Sequence, residues 1–179
     1  MSRPAVFFDR DGTLIEEVHY CSDPSRVRLY PGVPEALAKL KSAGFLNIII
    51  TNQSGIGRGI ITLGQYEAVH AELLRQIGNP SLITATYYCP DHPNVPSTRR
   101  KPAPGMVLEA AQDHGIDLSR SWFIGDKAAD ISCGKAAGTR TILVQTGYGQ
   151  QETASAPDFL AKDVVAAVEI ILENWDANR

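Results

Sequence analysis

The sequence predicts an α/β protein with a three-layer α/β/α, Rossmann-like architecture, in which helices cover both faces of a parallel sheet. Short apolar runs rich in β-branched residues alternate along the chain with longer segments whose apolar residues recur at helical spacing. Polar residues also follow directly after several apolar runs, which is where parallel sheets of this type bind ligands. The 179 residues, 44% of them hydrophobic, are enough for one substantial core, so we expect a single domain spanning residues 1–179.

The first half of the chain is predicted to form three strands and two helices. Prolines near its start and a glycine at its end delimit the first helix, and the second helix carries an apolar stripe at helical spacing. The middle strand, FLNIIITN, is rich in β-branched residues. In chain order these elements are a strand at 4–8, a helix at 31–44, a strand at 45–52, a helix at 62–78 and a strand at 82–89.

The second half continues the alternation. Prolines at the start and a glycine at the end delimit the third helix, and an amphipathic pattern defines the last one. We expect irregular structure at residues 15–30 and at residues 89–104, a segment with five prolines. The predicted elements are a helix at 101–115, a strand at 121–126, a helix at 129–138, a strand at 139–147 and a helix at 163–175.

The overall charge and the cysteines restrict the classes of function. Lys and Arg total 17 against 20 for Asp and Glu, so the formal charge of −3 indicates no broad cationic surface for nucleic acid. Three scattered cysteines do not resemble a disulfide framework and favour a reducing compartment. We see no signal-peptide pattern and no apolar run of membrane-spanning length, so we expect a cytoplasmic, monomeric protein without membrane contact.

Two carboxylates follow the first predicted strand, in the sequence FFDRDGT. Asp9 and Asp11 are separated by one residue, so they can converge on one point just past the strand end. Neighbouring anions disfavour each other unless a cation joins them, and Asp126 is expected to reach the same edge from another strand. Such a cluster suits Mg²⁺, and Gly12 allows backbone N–H groups to face an anion. The plain alternative is a turn, because Asp and Gly dominate turns.

Other polar groups follow later elements. Thr51 offers a hydroxyl at the end of a strand, Lys101 offers a compact positive charge, and Arg100 can clamp a phosphate. The glycines of TNQSGIGRG free the backbone to approach a ligand. A carboxylate nucleophile, a second carboxylate as acid/base, a hydroxyl, a lysine and a metal ion are the groups that phosphoryl transfer requires.

The segments DRDGT, ITNQSG, RRKP and GDKAAD, in this order and at these strand ends, resemble the four motifs of the haloacid dehalogenase-like phosphatases. Within that superfamily, FFDRDGTLIEEVHY, TNQSGIGRG, YYCPDHP and RKPAPGM resemble the D-glycero-D-manno-heptose 1,7-bisphosphate phosphatases. The resemblance implies hydrolysis of the 7-phosphate of this small sugar bisphosphate through an aspartyl-phosphate, in ADP-heptose and lipopolysaccharide synthesis. No cap domain is expected, because neither insertion point used by larger relatives has room for one.

The same resemblance implies roles for individual residues. Asp9 would be the nucleophile and Asp11 the general acid/base, while Thr51 and Lys101 would stabilise the phosphoryl group. Mg²⁺ would be held by Asp9, by the backbone carbonyl of Asp11 and by Asp126. Asp130 would orient Lys101 or the metal shell. Substrate contacts would come from Glu17, His19, Tyr20, Asn52, Gln53, Ser54, Arg100 and Lys127.

One segment departs from the family pattern. Many relatives carry a structural zinc in the loop before RKP, held by a Cys-x-His pair and a following Cys-x-Cys. Here Asp91 stands where the ligand histidine would be, and no cysteine follows before Arg99. Cys89 and His92 alone are too few for a closed tetrahedral site. We therefore expect no structural zinc and a shorter loop held by its prolines.

Three other functions share parts of this pattern. Histidinol-phosphate phosphatases resemble the sugar enzymes closely, and the tighter TNQSGIGRG and RKPAPGM matches favour the sugar enzyme modestly. Polynucleotide 3′-phosphatase modules have similar DGT, TNQ and RKP motifs but need a basic channel for a strand end, against which the net charge counts. A catalytically silent binding protein would be expected to lack Asp9 or Asp11, and both are present.

Overall fold

A computed structural model describes residues 2–153 and 155–176. Residues 1, 154 and 177–179 of the predicted single domain lie outside the described residues. The described part contains a six-stranded, all-parallel sheet, which confirms the predicted α/β class. Its strands are β1 (Ala5–Phe8), β2 (Leu46–Asn52), β3 (Ala85–Cys89), β4 (Trp122–Gly125), β5 (Arg140–Val144) and β6 (Phe159–Ala161), in the spatial order β3-β2-β1-β4-β5-β6.

The helices are α1 (Val33–Ser42), α2 (Ser54–Gly57), α3 (Leu63–Ile77), α4 (Gly105–His114), α5 (Ala128–Ala137) and α6 (Val164–Asp176). They form two layers, because successive residues of each strand face opposite sides of the sheet. Val6 and Phe8 of β1 belong to the core that α1, α3 and α6 cover, whereas Ala5 and Phe7 belong to the core beneath α4 and α5. The predicted three-layer arrangement is therefore confirmed.

The structure differs from the predicted elements mainly at their ends. The third predicted helix begins only at Gly105, because prolines interrupt the segment before it, so Lys101 lies in a turn. The predicted strand 139–147 ends at Val144, and the residues that follow form a turn. The sequence analysis did not predict the three-residue edge strand β6 or the single-turn helix α2, which are too short to show a periodicity.

The sheet topology indicates where along the sheet a ligand would bind. β1 and β4 are neighbours, with Phe8 opposite Ile124, and the strand order changes direction between them. Ligands of such sheets bind at this point, beyond the carboxyl ends of the strands. Asp9 directly follows β1, Asp126 directly follows β4, and Asn52 is the last residue of the neighbouring β2.

The two connections predicted to be irregular contain little regular structure. Within residues 9–32 the structure has one 3₁₀ turn, Pro24–Arg26, and isolated bridges. Residues 90–104 contain neither a strand nor an α-helix. Both connections are therefore loops over the strand ends. No helix in the described part of the chain combines the length and apolar character needed to cross a membrane.

Candidate active site

A buried lysine joins two carboxylates at the carboxyl edge of the sheet. Lys101 Nζ lies 2.7 Å from Asp9 Oδ1 and 2.7 Å from Asp130 Oδ1, and it also donates to the Ile50 carbonyl at 2.8 Å. Burial by itself would lower the pKa of Lys101, but the Asp130 and Asp9 carboxylates outweigh burial and raise the pKa above its ordinary value. Lys101 therefore carries its positive charge at any physiological pH.

The same contact determines the charge of Asp9. Burial would raise the pKa of the Asp9 carboxyl, but the positive charges of Lys101 and Lys127 outweigh it and hold this pKa below its ordinary value. The backbone N–H of Asp9 donates to the Ile124 carbonyl at 2.9 Å, which continues the pairing of β1 with β4. Asp9 is thus an ionised, fixed carboxylate at the centre of the sheet edge.

The backbone of Lys101 is fixed by the side chain of Asn52. Asn52 Oδ1 accepts a hydrogen bond from the Lys101 N–H at 3.0 Å, and Asn52 Nδ2 donates to the Lys101 carbonyl at 3.0 Å. Both ends of the amide therefore hold the turn of Lys101 against the end of β2. Sequence spacing could not reveal this contact, because the two residues are 49 positions apart in the chain.

Asp11 is held by an adjacent arginine. Arg10 Nε and Nη2 donate to the two Asp11 oxygens at 2.9 and 3.1 Å. Arg10 is 1% exposed, and its guanidinium lies over the Tyr66 ring, 5.4 Å from the centroid. Gln53 Nε2 donates both to Asp11 Oδ2 at 3.1 Å and to Thr51 Oγ1 at 2.8 Å. The carboxylate of Asp11 and the hydroxyl of Thr51 are therefore linked through one amide.

Three carboxylates converge beside this network. Oxygen atoms of Asp9, Asp126 and Asp130 lie within 4.8 Å of one another, and all three residues are buried. Burial, together with the charges of Asp9 and Asp130, raises the pKa of Asp126 to about 8. Asp126 Oδ2 accepts from the Tyr148 N–H at 2.9 Å, but its buried Oδ1 has no partner among the described residues. A buried, orphaned carboxylate oxygen in such a cluster fits a hard divalent cation such as Mg²⁺.

The oxygens of Asp130 are already committed within the protein. Oδ1 pairs with Lys101, and Oδ2 accepts from the N–H groups of Asp126 and Lys127 at 3.1 Å each. Of the two expected roles of Asp130, to orient Lys101 or the metal shell, its contacts support the orientation of Lys101. Asp9 and Asp126 remain as the side chains with oxygens best placed to bind a cation.

Two glycines pack against the Asp126 carboxylate. A Cβ atom on Gly12 or on Gly147 would lie 2.2 Å from Asp126 Oδ2, and both residues have positive φ, +90° and +55°. Thr146 Oγ1 donates to the Gly12 carbonyl at 2.6 Å and ties the two turns together. The sequence analysis singled out Gly12 but missed the residues after β5. The glycines of TGYG, at a strand end, were the signal that marks this turn.

A cavity of about 340 Å³ opens above these groups, a volume within the usual range for small-molecule sites. Two of the residues singled out from the sequence, Thr51 and Asp126, are buried behind its lining. Tyr148 and Arg10 line it as well, and the sequence analysis had not predicted either residue there. The other residues singled out from the sequence all line the cavity: Asp9, Asp11, Glu17, His19, Tyr20, Asn52, Gln53, Ser54, Arg100 and Lys127, with Lys101.

The outer part of the cavity carries paired charges and aromatic rings. Lys127 Nζ lies 3.3 Å from Glu17 Oε2 and 4.8 Å from the centroid of the Tyr148 ring. The rings of His19 and Tyr20 contact each other, with centroids 4.2 Å apart. Burial raises the pKa of Glu17. A ligand that extends outwards from Asp9 therefore meets positive charge, a carboxylate and an aromatic wall.

The loop before Lys101 is held by hydrogen bonds. Ser97 Oγ accepts from the backbone N–H groups of Arg99 and Arg100 at 3.3 and 3.1 Å, and it lies 3.7 Å from Cys89 Sγ. His92 Nδ1 accepts from the backbone N–H of a residue in its own turn. In the described part of the chain, the one group of residues suited to a metal ion is the aspartate cluster. The absence of structural zinc nevertheless remains a prediction.

Comparisons with known proteins agree with this geometry. The HAD-hydrolase-like family model matches residues 98–168. D-glycero-D-manno-heptose-1,7-bisphosphate 7-phosphatase of Thermosynechococcus vestitus is 41% identical to this chain, and the match covers 96% of each protein. D-glycero-beta-D-manno-heptose-1,7-bisphosphate 7-phosphatase of Escherichia coli is 37% identical over 82% of this chain and 81% of its own.

A solved structure of a heptose bisphosphate phosphatase is also similar to this chain. D,D-heptose 1,7-bisphosphate phosphatase from B. bronchiseptica, crystallised with magnesium and phosphate, superposes with a TM-score of 0.87 at 29% identity, over 96% of this chain and 99% of its own. The fold and the site thus define a haloacid dehalogenase-like hydrolase that cleaves phosphoric monoesters. Within that class, the chain belongs to the family of the heptose bisphosphate phosphatases.

Proposed function

We propose that this chain is an Mg²⁺-dependent phosphatase that removes the 7-phosphate of D-glycero-D-manno-heptose 1,7-bisphosphate. One observation carries the proposal: the buried, ionised Asp9 lines a small cavity, pairs with Lys101 and clusters with Asp126, whose Oδ1 has no partner among the described residues. Covalent phosphoryl transfer requires this combination of a carboxylate nucleophile and fixed positive charge. The names of the relatives support the sugar bisphosphate as substrate.

In the first half of the reaction, a carboxylate oxygen of Asp9 attacks the phosphorus of the 7-phosphate. The new O–P bond gives an aspartyl-phosphate as the bond between phosphorus and the sugar oxygen breaks. Asp11, which enters the reaction cycle protonated, donates this proton to the departing sugar oxygen, so the product leaves as an alcohol. The ammonium of Lys101 and the hydroxyl of Thr51 stabilise the negative charge on the phosphoryl oxygens.

In the second half, a water molecule attacks the phosphorus of the aspartyl-phosphate. Asp11, now a carboxylate, accepts a proton from that water, and the bond between Asp9 and phosphorus breaks. Inorganic phosphate is released and both aspartates return to their starting states. Arg10 and Gln53 keep the Asp11 carboxylate in place for these two proton transfers.

Asp9, Asp126 and the Asp11 backbone carbonyl would hold the Mg²⁺ ion. A bound Mg²⁺ supplies positive charge that lessens the repulsion between the anionic nucleophile and the anionic substrate and polarises a phosphoryl oxygen. Magnesium in the crystallised relative supports this choice of ion. Asp130 would act on this site indirectly, through Lys101 and the backbone that follows β4.

The 1-phosphate and the sugar would occupy the outer part of the cavity. Arg100 and Lys127 provide positive charge there, while Glu17, His19 and Tyr20 offer hydrogen-bonding groups and a ring surface. Asn52, Gln53 and Ser54 would border the sugar where it meets the floor. An arginine that clamps a second phosphate gives specificity for a bisphosphate without a cap domain.

The remaining features of the proposal concern the whole protein. We propose a single domain, acting as a monomer in the cytoplasm, in ADP-heptose supply for lipopolysaccharide, without nucleic-acid or membrane partners. We also propose that it contains no structural zinc, since Ser97 already ties the loop before Lys101. Elemental analysis of the purified protein should find far less than one zinc per chain, whereas one equivalent would contradict this part.

The test of the substrate is a side-by-side measurement of kcat/KM with Mg²⁺. The substrates are the β anomer of the heptose bisphosphate, its α anomer and histidinol phosphate. We expect a preference of at least about a hundredfold for one sugar bisphosphate over histidinol phosphate, equivalent to about 2.7 kcal/mol of differential transition-state binding. Faster turnover of histidinol phosphate would reject the sugar as substrate and favour the alternative from the sequence.

The test of the mechanism is Asp9→Asn. This variant keeps the shape of the side chain but removes the nucleophilic carboxylate, so turnover should be lost while the bisphosphate still binds in the presence of Mg²⁺. Full activity of Asp9→Asn would reject an aspartyl-phosphate on this residue. A calorimetric titration with the intact bisphosphate separates the loss of chemistry from a loss of binding.

A further inference from the structure

The side-chain nitrogen of Gln53 joins two groups that the proposed reaction uses separately. Nε2 donates to Asp11 Oδ2 at 3.1 Å and to Thr51 Oγ1 at 2.8 Å. A primary amide has two N–H hydrogens, so both are committed to these acceptors. The Gln53 backbone N–H donates to the Cys89 carbonyl at 2.8 Å, and the residue is 8% exposed. Gln53 is therefore anchored at the end of β2.

The bond from Gln53 determines which hydrogen-bonding role is left to Thr51. A hydroxyl has one hydrogen and two lone pairs. One lone pair of Thr51 Oγ1 accepts the Gln53 N–H, and within residues 2–153 and 155–176 no acceptor is found for the hydroxyl hydrogen. This hydrogen stays free for donation to an oxygen that arrives from outside. In the proposed reaction, that oxygen belongs to the phosphoryl group.

The bond from Gln53 also completes the support of Asp11. Arg10 donates to both Asp11 oxygens, and Gln53 adds a third donor on Oδ2 from the opposite segment of the chain. Three donors from two segments fix both the position of the carboxylate and the plane in which it lies. A proton acceptor and donor must hold such a position, because efficient transfer depends on hydrogen-bond geometry.

We propose that Gln53 is a positioning residue, an inference that rests on the proposed function. Its amide orients the Thr51 hydroxyl as a donor and holds the Asp11 carboxylate beside it. A direct contact between Gln53 and the substrate has a different signature. Loss of a uniform substrate contact raises KM and leaves kcat unchanged, whereas loss of positioning lowers kcat.

The experiment compares Gln53→Met with the unaltered protein on p-nitrophenyl phosphate and Mg²⁺. Because this substrate has no sugar and no second phosphate, the outcome does not depend on the proposed heptose specificity. We expect kcat to fall about ten- to a hundredfold, which is a smaller effect than complete removal of one hydrogen-bond donor to the transition state. The KM should stay within about threefold of the unaltered value. Circular dichroism and thermal unfolding confirm that the variant folds.

The matched control is Gln76→Met. Gln76 Nε2 also donates to two acceptors, the Val27 carbonyl at 3.0 Å and Glu72 Oε1 at 2.7 Å, but it does not line the cavity. The control removes these two hydrogen bonds, together with the one that Gln76 Oε1 accepts from the Leu29 N–H at 3.2 Å, at a distance from the chemistry. It should alter stability and leave kcat within about twofold of the unaltered value.

A double-mutant cycle identifies the partner through which Gln53 acts. In a Thr51→Ala background, the hydroxyl is gone and Gln53→Met should lower kcat by less than about threefold further. Gln53→Glu tests the same point with the original shape, because its carboxylate accepts from Thr51, turns the hydroxyl hydrogen inwards and repels Asp11. We expect Gln53→Glu to be at least as slow as Gln53→Met. If Gln53→Met does not fold, Gln53→Glu carries the test.

Two results would overturn the inference: a kcat of Gln53→Met within about threefold of the unaltered value, or a raised KM with unchanged kcat. An equal loss of kcat with and without Thr51 would reject the orientation of Thr51 and assign the loss to the support of Asp11. If the unaltered protein hydrolyses neither p-nitrophenyl phosphate nor the bisphosphate, the proposed function fails and the role of Gln53 fails with it. If the unaltered protein is active but Gln53→Met keeps its kcat, only the role of Gln53 is rejected. The two failures are therefore distinguishable.

Discussion

Replacing Lys101 with methionine removes the buried charge on which the site depends. Its ammonium lies 2.7 Å from both Asp9 Oδ1 and Asp130 Oδ1, and its side chain is 2% exposed. Lys101→Met keeps the length of the side chain but leaves both carboxylates buried without this cation. Removing one partner of a buried ion pair costs about 3–5 kcal/mol, because the charge that remains is uncompensated.

The loss of stability in Lys101→Met should depend on pH, and the buried carboxylates determine the direction of this dependence. Burial and the Asp9 charge already raise the pKa of Asp130 to about 6 in the unaltered protein, and removal of Lys101 raises this pKa further and takes from Asp9 its largest opposing charge. The folded variant then binds more protons than the unfolded variant, so its stability decreases as pH rises through the raised pKa values. The difference between the variant and the unaltered protein should therefore be largest near pH 8 and shrink towards pH 5.

The assay is urea unfolding of both proteins at a series of pH values without added metal, with Lys39→Met as the matched control. Lys39 pairs with Glu169 at 2.5 Å, but the two side chains are 53% and 47% exposed. This control should cost no more than about 1 kcal/mol at any pH. If Lys101→Met costs no more than Lys39→Met, or if its cost does not decrease towards pH 5, the reasoning on buried charge is refuted.

Three further predictions concern the glycine turn beside Asp126, a partly buried histidine and the outer cavity. Gly12→Ala should destabilise the fold by about 2–4 kcal/mol in urea unfolding, because the residue has positive φ and its new Cβ would collide with Asp126. The control Gly44→Ala also has positive φ but open space around the Cβ, so it should cost only about 1–2 kcal/mol. Equal costs of the two variants would contradict the steric argument. Burial lowers the pKa of His70 from 6.5 to about 4. Between pH 6.5 and about pH 4 the unfolded chain therefore binds one proton more than the folded protein, so the stability of the fold falls as pH decreases through this range. His70→Gln should remove up to about 3 kcal/mol of this pH dependence, and an unchanged slope would reject the assignment. Arg100→Ala should lower kcat/KM for the bisphosphate at least about tenfold but for p-nitrophenyl phosphate less than about threefold; equal losses would exclude a clamp on the second phosphate.

The sequence predicted the carboxyl edge of the sheet well, because strand ends follow from local patterns. Asp9 and Asp126 each directly follow an apolar run, and the structure places both beside the point where the strand order changes direction. The interpretation of Asp130 as an orienting residue also agrees with its contacts to Lys101. These residues are recognisable because parallel sheets bring their strand ends together whatever the loops do.

The hydrogen-bond partners of the site could not be read from spacing. The pair of hydrogen bonds between the Asn52 amide and the backbone of Lys101 is one example, because the two residues are 49 positions apart. Arg10 was not singled out, because a charged residue between two aspartates looks like part of an exposed turn, although it is 1% exposed beneath Tyr66. The edge strand β6 has three residues, too few to show alternation.

The pairing of β1 with β4 means that two distant halves of the chain each supply part of one reaction centre. Asp9 belongs to the first half, whereas Lys101 and Asp126 belong to the second, and Phe8 opposite Ile124 sets their alignment. A slip of one residue would move Asp9 by about 3.3 Å along the sheet and turn its side chain to the opposite face. Recovery of catalysis after denaturation is therefore a sensitive reporter of whether the two central strands have found their native register.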